Sequence, residues 1–145
     1  MENMDALLDA AEDSLEWHRS SLSALMSGKD PSEAERLKQL SVKHGMVAII
    51  TSWSYLEACL YYHGRRKHGQ SFNDALVFEA TLMSLGVTEE AVLKKVRNLR
   101  NIRRALIRGK RLELHCHELS KVYVAENEAE QAVSLALEVR RLLGS

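Results

Sequence analysis

Residues 88–111 constrain the fold more than any other segment, because apolar and cationic residues recur there at helical spacing. The apolar residues follow one another at steps of three or four and so share one face of a helix: Leu93, Val96, Leu99, Ile102 and Leu106. The segment also holds nine of the chain's 20 Lys and Arg residues, and residues 91–111 contain no acid. Like charges this dense repel one another along a helix, so we expect an anion outside the helix to compensate them.

Local signals mark the two ends of this helix. Thr88 is a favourable N-cap residue, and Glu89 and Glu90 place negative charge where a helix N-terminus favours it. Gly109 is the predicted stop, since glycine readily adopts the left-handed conformation after a last helical turn. The segment is therefore predicted to be an amphipathic helix with one apolar and one basic side.

The remaining chain also favours helices, since its 145 residues include one Pro and seven Gly. Periodicity predicts helices over residues 4–26, 71–85 and 126 or 127–143. Gly86 is the predicted end of the second of these. Another helix follows the N-cap Asp30 and Pro31 and runs to about residue 62 or 63, with Gly64 as its stop. Residues 46–64 are apolar nearly all round, which predicts that they form the core helix.

Residues 112–124 are the exception to this pattern. A brief alternation of apolar and polar residues there indicates either two short strands or an extended loop across the bundle. The sequence shows no internal repeat and no low-complexity tract. It therefore predicts a single domain, residues 1–145, folded as an all-α bundle of four to five helices.

Composition is ordinary for a globular protein, with 46% hydrophobic and 28% charged residues and a net charge of zero. The longest purely apolar run, residues 46–50, is far too short to span a membrane. Two cysteines do not make a disulfide framework, and no signal peptide is evident, so we expect a cytoplasmic protein with reduced thiols and no membrane partner. Residues 1–16 contain six acids and no Lys or Arg, which predicts that the first helix meets the basic helix within one chain or across a dimer.

The basic side of residues 88–111 is the strongest functional signal. Its arginines recur every three or four residues, and guanidinium groups at that spacing match the phosphate oxygens of a nucleic-acid backbone. The predicted nucleic-acid-binding residues are Arg97, Arg100, Arg104, Arg108, Lys110 and Arg111. Asn98 and Asn101 lie close to this side. The alternative is a solvated basic face whose cations pair with acids of the first helix.

The order of segments resembles the HEPN superfamily of small all-α prokaryotic domains. The resemblance rests on the apolar helix AIITSWSYLEACLYY, a shorter connecting helix, and a helix ending LRNIRRALIRG. It covers most of the chain in helix order, although outside these two helices the sequence similarity is weak. Many HEPN proteins are dimeric, metal-independent ribonucleases of toxin–antitoxin and phage-defence systems. The resemblance therefore implies an RNA-directed homodimer without a cofactor, associated through the Arg-rich helix and the apolar helix.

The family's active motif is an Arg, a polar residue that is often Asn, three to five further residues, and a His. In this sequence Arg103 stands at the motif arginine, Arg104 at the usual Asn, and Arg108 where the histidine belongs. An arginine cannot shuttle a proton, because it stays ionised. His115 and His117 satisfy the loose spacing from later arginines but lie past Gly109. Two alternatives follow: a ribonuclease that uses one of these histidines, or a relative that binds RNA without cutting it.

Glu57 is an acid within the apolar helix, beside Leu56, Ala58 and Leu60. If it is buried it needs a cationic partner, and Arg103 or Arg100 is the natural candidate. The HEPN resemblance then implies that Glu57 orients the site. The alternative is that Glu57 faces water.

A metal site has little support in the sequence. Cys59 and His63 are spaced i, i+4, and His115, Cys116 and His117 are clustered, but no CxxC or HExxH pattern is present. Cys59 is better explained as a small core residue, so neither metal nor cofactor is predicted. Redox sensing by Cys116, flanked by two histidines, is a further alternative. Tyr61 and Tyr62 are predicted as core or interface aromatics, with base stacking as the alternative use.

These patterns predict an RNA-directed protein of a defence or toxin–antitoxin system. The competing interpretation is a non-enzymatic regulatory module, antitoxin-like or phage-encoded, whose basic helix docks on an acidic cognate protein.

Overall fold

A computed structural model of the protein describes residues 2–69, 78–107 and 119–144, with residues 2 and 119–126 described by their backbone alone. Within these ranges the protein is a bundle of five α-helices without a strand. The helices are α1 (Glu2–Ser27), α2 (Ala34–His68), α3 (Phe78–Ser84), α4 (Glu90–Ile107) and α5 (Leu119–Leu142), and a 3-10 turn (Pro31–Glu33) precedes α2. The predicted all-α bundle is confirmed. None of these helices combines the length and the apolar character needed to cross a membrane, as far as the described residues go.

The first two helices follow the sequence signals closely at their starts. The Asp30 carboxylate accepts a hydrogen bond from the Ser32 amide at 3.1 Å and caps the turn that Pro31 begins. The predicted stop at Gly64 is wrong, because α2 continues to His68 and ends at Gly69, where φ is +58°. Gly64 is buried inside the helix, so burial of this segment outweighs the roughly 1 kcal/mol by which glycine disfavours a helix interior.

The later helices differ from the prediction at their ends. Helix α4 begins at Glu90, and the Glu89 carbonyl accepts hydrogen bonds from the amides of Val92 and Leu93, so Glu89 rather than Thr88 is the N-cap residue. Gly86 follows α3 with φ of +95°, as expected of a glycine stop. The predicted stop Gly109 and the first half of the third helix, residues 71–77, lie outside the described residues.

Residues 119–124 belong to the first turns of α5. The prediction of strands or an extended loop is therefore wrong for this part of 112–124, and residues 112–118 lie outside the described ranges. A short alternation of apolar residues is compatible with the two-residue period of a strand and with the 3.6-residue period of a helix. Here the longer helical segment that follows determines the structure.

Helix α2 is the centre of the bundle, since α1, α3, α4 and α5 all contact it. Its second half carries three of the largest fully buried side chains, Ile49, Tyr55 and Leu56, which confirms the predicted core helix. Cys59 is completely buried, free and part of the core, as predicted. The acidic α1 lies along α2 and α5, whereas α4 contacts α2, α3 and α5. None of the ion pairs of the described α4 residues involves α1. The predicted meeting of α1 with the basic helix, within one chain or across a dimer, stays a prediction.

A buried histidine joins α1 to α2. His18 is completely buried, and its Nδ1 lies 2.5 Å from the Ser41 carbonyl oxygen, to which it donates a hydrogen bond. Gly45, one turn after Ser41, leaves the space for the imidazole: a Cβ atom at this position would lie 3.1 Å from His18 Cε1 and Nδ1. Glycine here is thus required by close approach between two helices, not by the backbone conformation.

We expect Gly45→Ala to lower the free energy of unfolding by about 1 kcal/mol. The added methyl group presses on a hydrogen-bonded side chain that has no room to move, and this strain exceeds the roughly 1 kcal/mol that Ala gains over Gly in a helix. Urea denaturation of both proteins measures the difference.

A His18→Asn background provides the control for this prediction. The smaller side chain frees the space beside residue 45, so the same Gly45→Ala change should there become neutral or stabilising. A loss of equal size in both backgrounds would show that His18 is not the cause.

Candidate nucleic-acid interface

The apolar face of α4 fixes the direction of its basic residues. Val92, Leu93, Val96, Leu99 and Leu106 are buried and Ile102 is half-buried against the core, which confirms the predicted inward face. Six cationic side chains of α4 are described: Lys94, Lys95, Arg97, Arg100, Arg103 and Arg104. Their arrangement decides what a polyanion would meet.

Carboxylates already compensate three of these six cations. Arg100 Nη1 lies 2.6 Å from Glu79 Oε1 on α3, and Arg97 Nη2 lies 2.6 Å from Glu90 Oε1 in the first turn of α4. Lys95 Nζ lies 3.4 Å from Glu138 Oε2 on α5. The alternative of paired cations is thus partly confirmed, but these partners come from α3, α4 and α5 and not from the acidic α1.

The three ion pairs differ in how well water screens them. The side chains of Arg100 and Glu79 are 21% and 14% exposed, whereas those of Arg97 and Glu90 are 41% and 77% exposed. An exposed pair contributes about 0–1 kcal/mol, so a phosphate can displace Glu90 from Arg97 at little cost. A largely buried pair is costly to open, because the remaining charge is left without a partner. Arg100 is therefore held as a structural contact between α3 and α4.

Four polar side chains form a row on the side of α4 opposite its apolar face: Lys94, Asn98, Asn101 and Arg104. All four are exposed, and they follow one another at steps of three or four residues over about 15 Å of helix. Neither Lys94 nor Arg104 has a carboxylate within salt-bridge distance among the described residues. We call these four residues the polar row. Arg97 lies beside it and adds a third cation.

Arg103 does not belong to this row. It is half-buried on the side of the helix that also carries Leu99, one turn before it, and Leu106, one turn after it. The structure thus separates Arg103, the arginine at the motif position, from Arg104, which points to solvent. Arg108, Lys110, Arg111, His115, Cys116 and His117 lie outside the described residues, so their proposed roles stay predictions.

Glu57 is exposed, which confirms that it faces water and shows that the buried alternative is wrong. The carboxylate that reaches Arg100 is Glu79 instead. The sequence carried only an indirect signal for Glu79, as an acid among apolar residues of the segment before the basic helix. Its partner lies 21 residues further along the chain, beyond a turn, where helical spacing gives no information.

Of the other proposed metal ligands, only Cys59 and His63 lie within the described residues. Among the described residues no group of three or more His, Cys, Asp and Glu side chains is placed to hold a metal ion. Burial raises the pKa of the Cys59 thiol, and burial together with the nearby Arg66 lowers the pKa of His63. Tyr61 is 53% exposed, with the Arg65 guanidinium 6.0 Å from its ring centre, while Tyr62 is half-buried with its ring edge-on to His63.

No protein-family model, curated protein or solved structure matches this chain. The resemblance to the HEPN superfamily consequently stays a prediction that rests on the quoted segments.

We expect Glu79→Gln to lower the free energy of unfolding by about 2 kcal/mol, because it leaves the largely buried Arg100 guanidinium without a counter-charge. Urea denaturation, with the helix signal in circular dichroism as readout, measures the loss.

Glu90→Gln is the matched control, since it makes the same chemical change in the exposed pair with Arg97. It should cost less than about 1 kcal/mol. Equal losses in the two variants would contradict the structural role assigned to the pair of Arg100 and Glu79.

Proposed function

We propose that this protein binds RNA through the polar row of α4, as a HEPN-like component of a defence or toxin–antitoxin system. The observation that carries the proposal is the exposed row itself, which presents Lys94 and Arg104 to solvent on a helix without an acid between residues 91 and 107. Cationic side chains along one side of a helix contact successive phosphates of a backbone. Arg97 joins them once phosphate displaces the exposed Glu90 carboxylate.

The two asparagines favour RNA as the polyanion. Asn98 and Asn101 lie between the cations of the polar row, and both are exposed. Their amides offer donors and acceptors to the 2′-hydroxyl group and to the base edges of an unpaired strand. Arg108, Lys110 and Arg111 follow in the sequence and would supply further cations to the same backbone. Association of two copies, as the resemblance implies, would double this surface.

We favour the relative that binds RNA without cutting it. Arg108 occupies the position of the motif histidine, and a guanidinium group that stays protonated cannot accept a proton from the 2′-hydroxyl. Cleavage would require His115 or His117 as the proton acceptor, with Arg103 and Arg104 stabilising charge on the phosphorane. The ribonuclease alternative is therefore tested through these histidines.

A second candidate function is docking of α4 on an acidic protein. Ile107, three residues after Arg104, is 56% exposed. A large apolar side chain beside cations is typical of a protein interface, where it enters a pocket on the partner. A regulatory module that binds an acidic cognate protein would use this combination, whereas a phosphate backbone would not need the isoleucine.

We expect the protein to bind a fluorescent single-stranded RNA oligonucleotide with strong salt dependence. Three phosphate contacts from Lys94, Arg97 and Arg104 give a slope of log K against log salt of about −2 or steeper, as measured by anisotropy. The double variant Lys94→Gln/Arg104→Gln should lower the affinity roughly tenfold and flatten this slope.

The double variant Lys43→Gln/Arg66→Gln is the control, because it removes the same charge from exposed positions on α2. It should bind RNA nearly as well as the parent. Equal losses in both double variants, or a polyglutamate peptide that binds more tightly than RNA and depends on Ile107, would contradict the proposal and favour protein docking.

We expect the bound RNA to remain intact when it is incubated with the purified protein and EDTA and analysed on a denaturing gel. Cleavage that disappears in His115→Ala or His117→Ala and in Arg103→Ala would instead establish the metal-independent ribonuclease. Cleavage that persists unchanged in all three variants would indicate a contaminating nuclease.

A further inference from the structure

A cleft of about 470 Å³ lies between α4 and α5, and its size is within the range of small-molecule sites. Leu99 and Ile102 of α4 and Ala132 and Leu135 of α5 contribute apolar side chains to its lining. Three of these four residues are otherwise buried in the described structure, and Ile102 is half-buried. Because Leu99, Ala132 and Leu135 are at most 4% exposed, Ile102 is the member of this group whose apolar surface an occupant would remove from water.

Two of the four charged residues that line this cleft already have partners. Glu130 accepts hydrogen bonds from the Arg19 guanidinium of α1, with Arg19 Nε 3.0 Å from Glu130 Oε2. Lys95 is paired with Glu138, one turn beyond the α5 residues that line the cleft. Lys94 lies at the mouth, where it is exposed to water.

Of the two charged lining residues without an ion-pair partner in the described part of the chain, Lys94 is exposed and Glu128 is partly shielded from water. Glu128 lines the cleft and is half-buried, and its Oε2 atom is shielded from solvent without a hydrogen-bond partner among the described residues. Burial raises the pKa of this carboxyl group, since water no longer stabilises its charge. A carboxylate that water reaches at only one oxygen is less stable than a fully hydrated one, so a ligand that donates a hydrogen bond to the accessible oxygen would recover part of the lost interaction.

We propose that the cleft between α4 and α5 binds a small organic cation with an apolar body, whose ammonium group donates to the Glu128 carboxylate while its body covers Ile102 and lies beside Leu99 and Leu135. A charge-assisted hydrogen bond to a partly buried carboxylate is stronger than one to a neutral donor. An anionic ligand of the same shape is repelled by Glu128. Of the two lysines in the lining, Lys95 is already compensated by Glu138, and Lys94 is exposed to water, which weakens its attraction for an anion. A neutral apolar ligand seals Glu128 from water without pairing it, which opposes binding.

This proposal does not depend on RNA binding. Glu128 lies on α5, whereas the polar row lies on the outer side of α4. Lys94 and Asn98 border both surfaces, but the chemistry assigned to the cleft rests on Glu128 and the apolar lining. Failure of either proposal therefore leaves the other intact.

Three ligands that share an apolar phenylalkyl group and differ in the charge of their terminal group test whether the cleft prefers a cation. The test uses the full chain at about pH 7.5, where an alkylamine is protonated. The ligands are 4-phenylbutylamine, 4-phenylbutan-1-ol and 4-phenylbutyrate, titrated against isotope-labelled protein with methyl chemical shifts as the readout. We expect the amine to bind saturably in the roughly millimolar range. It should bind at least tenfold more tightly than the alcohol, with the carboxylate weakest. Shifts should centre on the methyl groups of Leu99, Ile102 and Leu135.

Glu128→Gln keeps the shape of the side chain and removes its charge, so it should reduce the preference for amine over alcohol to less than threefold. Glu57→Gln makes the same change at an exposed position of α2 and should leave the preference intact. Four outcomes overturn the proposal: no saturable binding of the amine, equal binding of amine and alcohol, tightest binding of the carboxylate, or a preference that survives Glu128→Gln. The first three need no variant, so misfolding of a mutant cannot obscure the result.

Discussion

Burial of one central helix determines the orientation of every other part of this protein. Tyr55, Leu56 and Cys59 of α2 are completely buried, and each surrounding helix contacts α2 with an apolar face. Burying one large apolar side chain contributes roughly 1.5–3 kcal/mol, more than an exposed ion pair does, so the apolar faces decide which way each helix is turned. The basic residues of α4 point outward for this reason. Their direction results from the core and would be the same whatever they bind.

Within that constraint, exposure divides the cations of α4 into two groups. Arg100 is tied to Glu79 where water scarcely reaches and serves to join α3 to α4. Arg97 forms its pair with Glu90 near solvent and remains available to another anion. Together with Lys94 and Arg104, it forms the surface that can bind an anionic ligand. In the described part of α4, this surface contains fewer available cations than the sequence suggests. That surface can contact a few phosphates, so the proposed binding of an RNA strand should be modest in affinity and sensitive to salt.

The same helix also borders the cleft. Lys94 and Asn98 lie at its mouth, while Leu99 and Ile102 extend toward α5, where Glu128 has an unsatisfied oxygen. Helix α4 therefore presents cationic groups to solvent and apolar groups to a recess that contains an acid. These two environments select ligands of opposite charge, so the proposed RNA surface and the proposed amine site do not compete on electrostatic grounds.

Much of this architecture follows from the sequence alone. Residues at steps of three or four predicted the inward face of α4, and Asp30 with Pro31 marked the turn before α2, since both signals act between neighbours along the chain. Glycine was less reliable as a stop: Gly86 ends its helix, while Gly64 is retained inside α2 by burial. Periodicity also placed Arg97 and Arg104 among the outward cations. It did not show that Arg103 lies on the half-buried side with Leu99 and Leu106.

Only the tertiary structure determined which carboxylate reaches which cation. Glu57 and Glu79 are both acids beside apolar residues in the sequence, yet the first faces water and the second holds Arg100. The cleft beside Glu128 likewise exists because α4 and α5 meet across the bundle. Local spacing determines helical faces because neighbouring residues share one backbone geometry. Ion pairs and clefts depend on distances between helices, and those distances are fixed when separate apolar faces share one core.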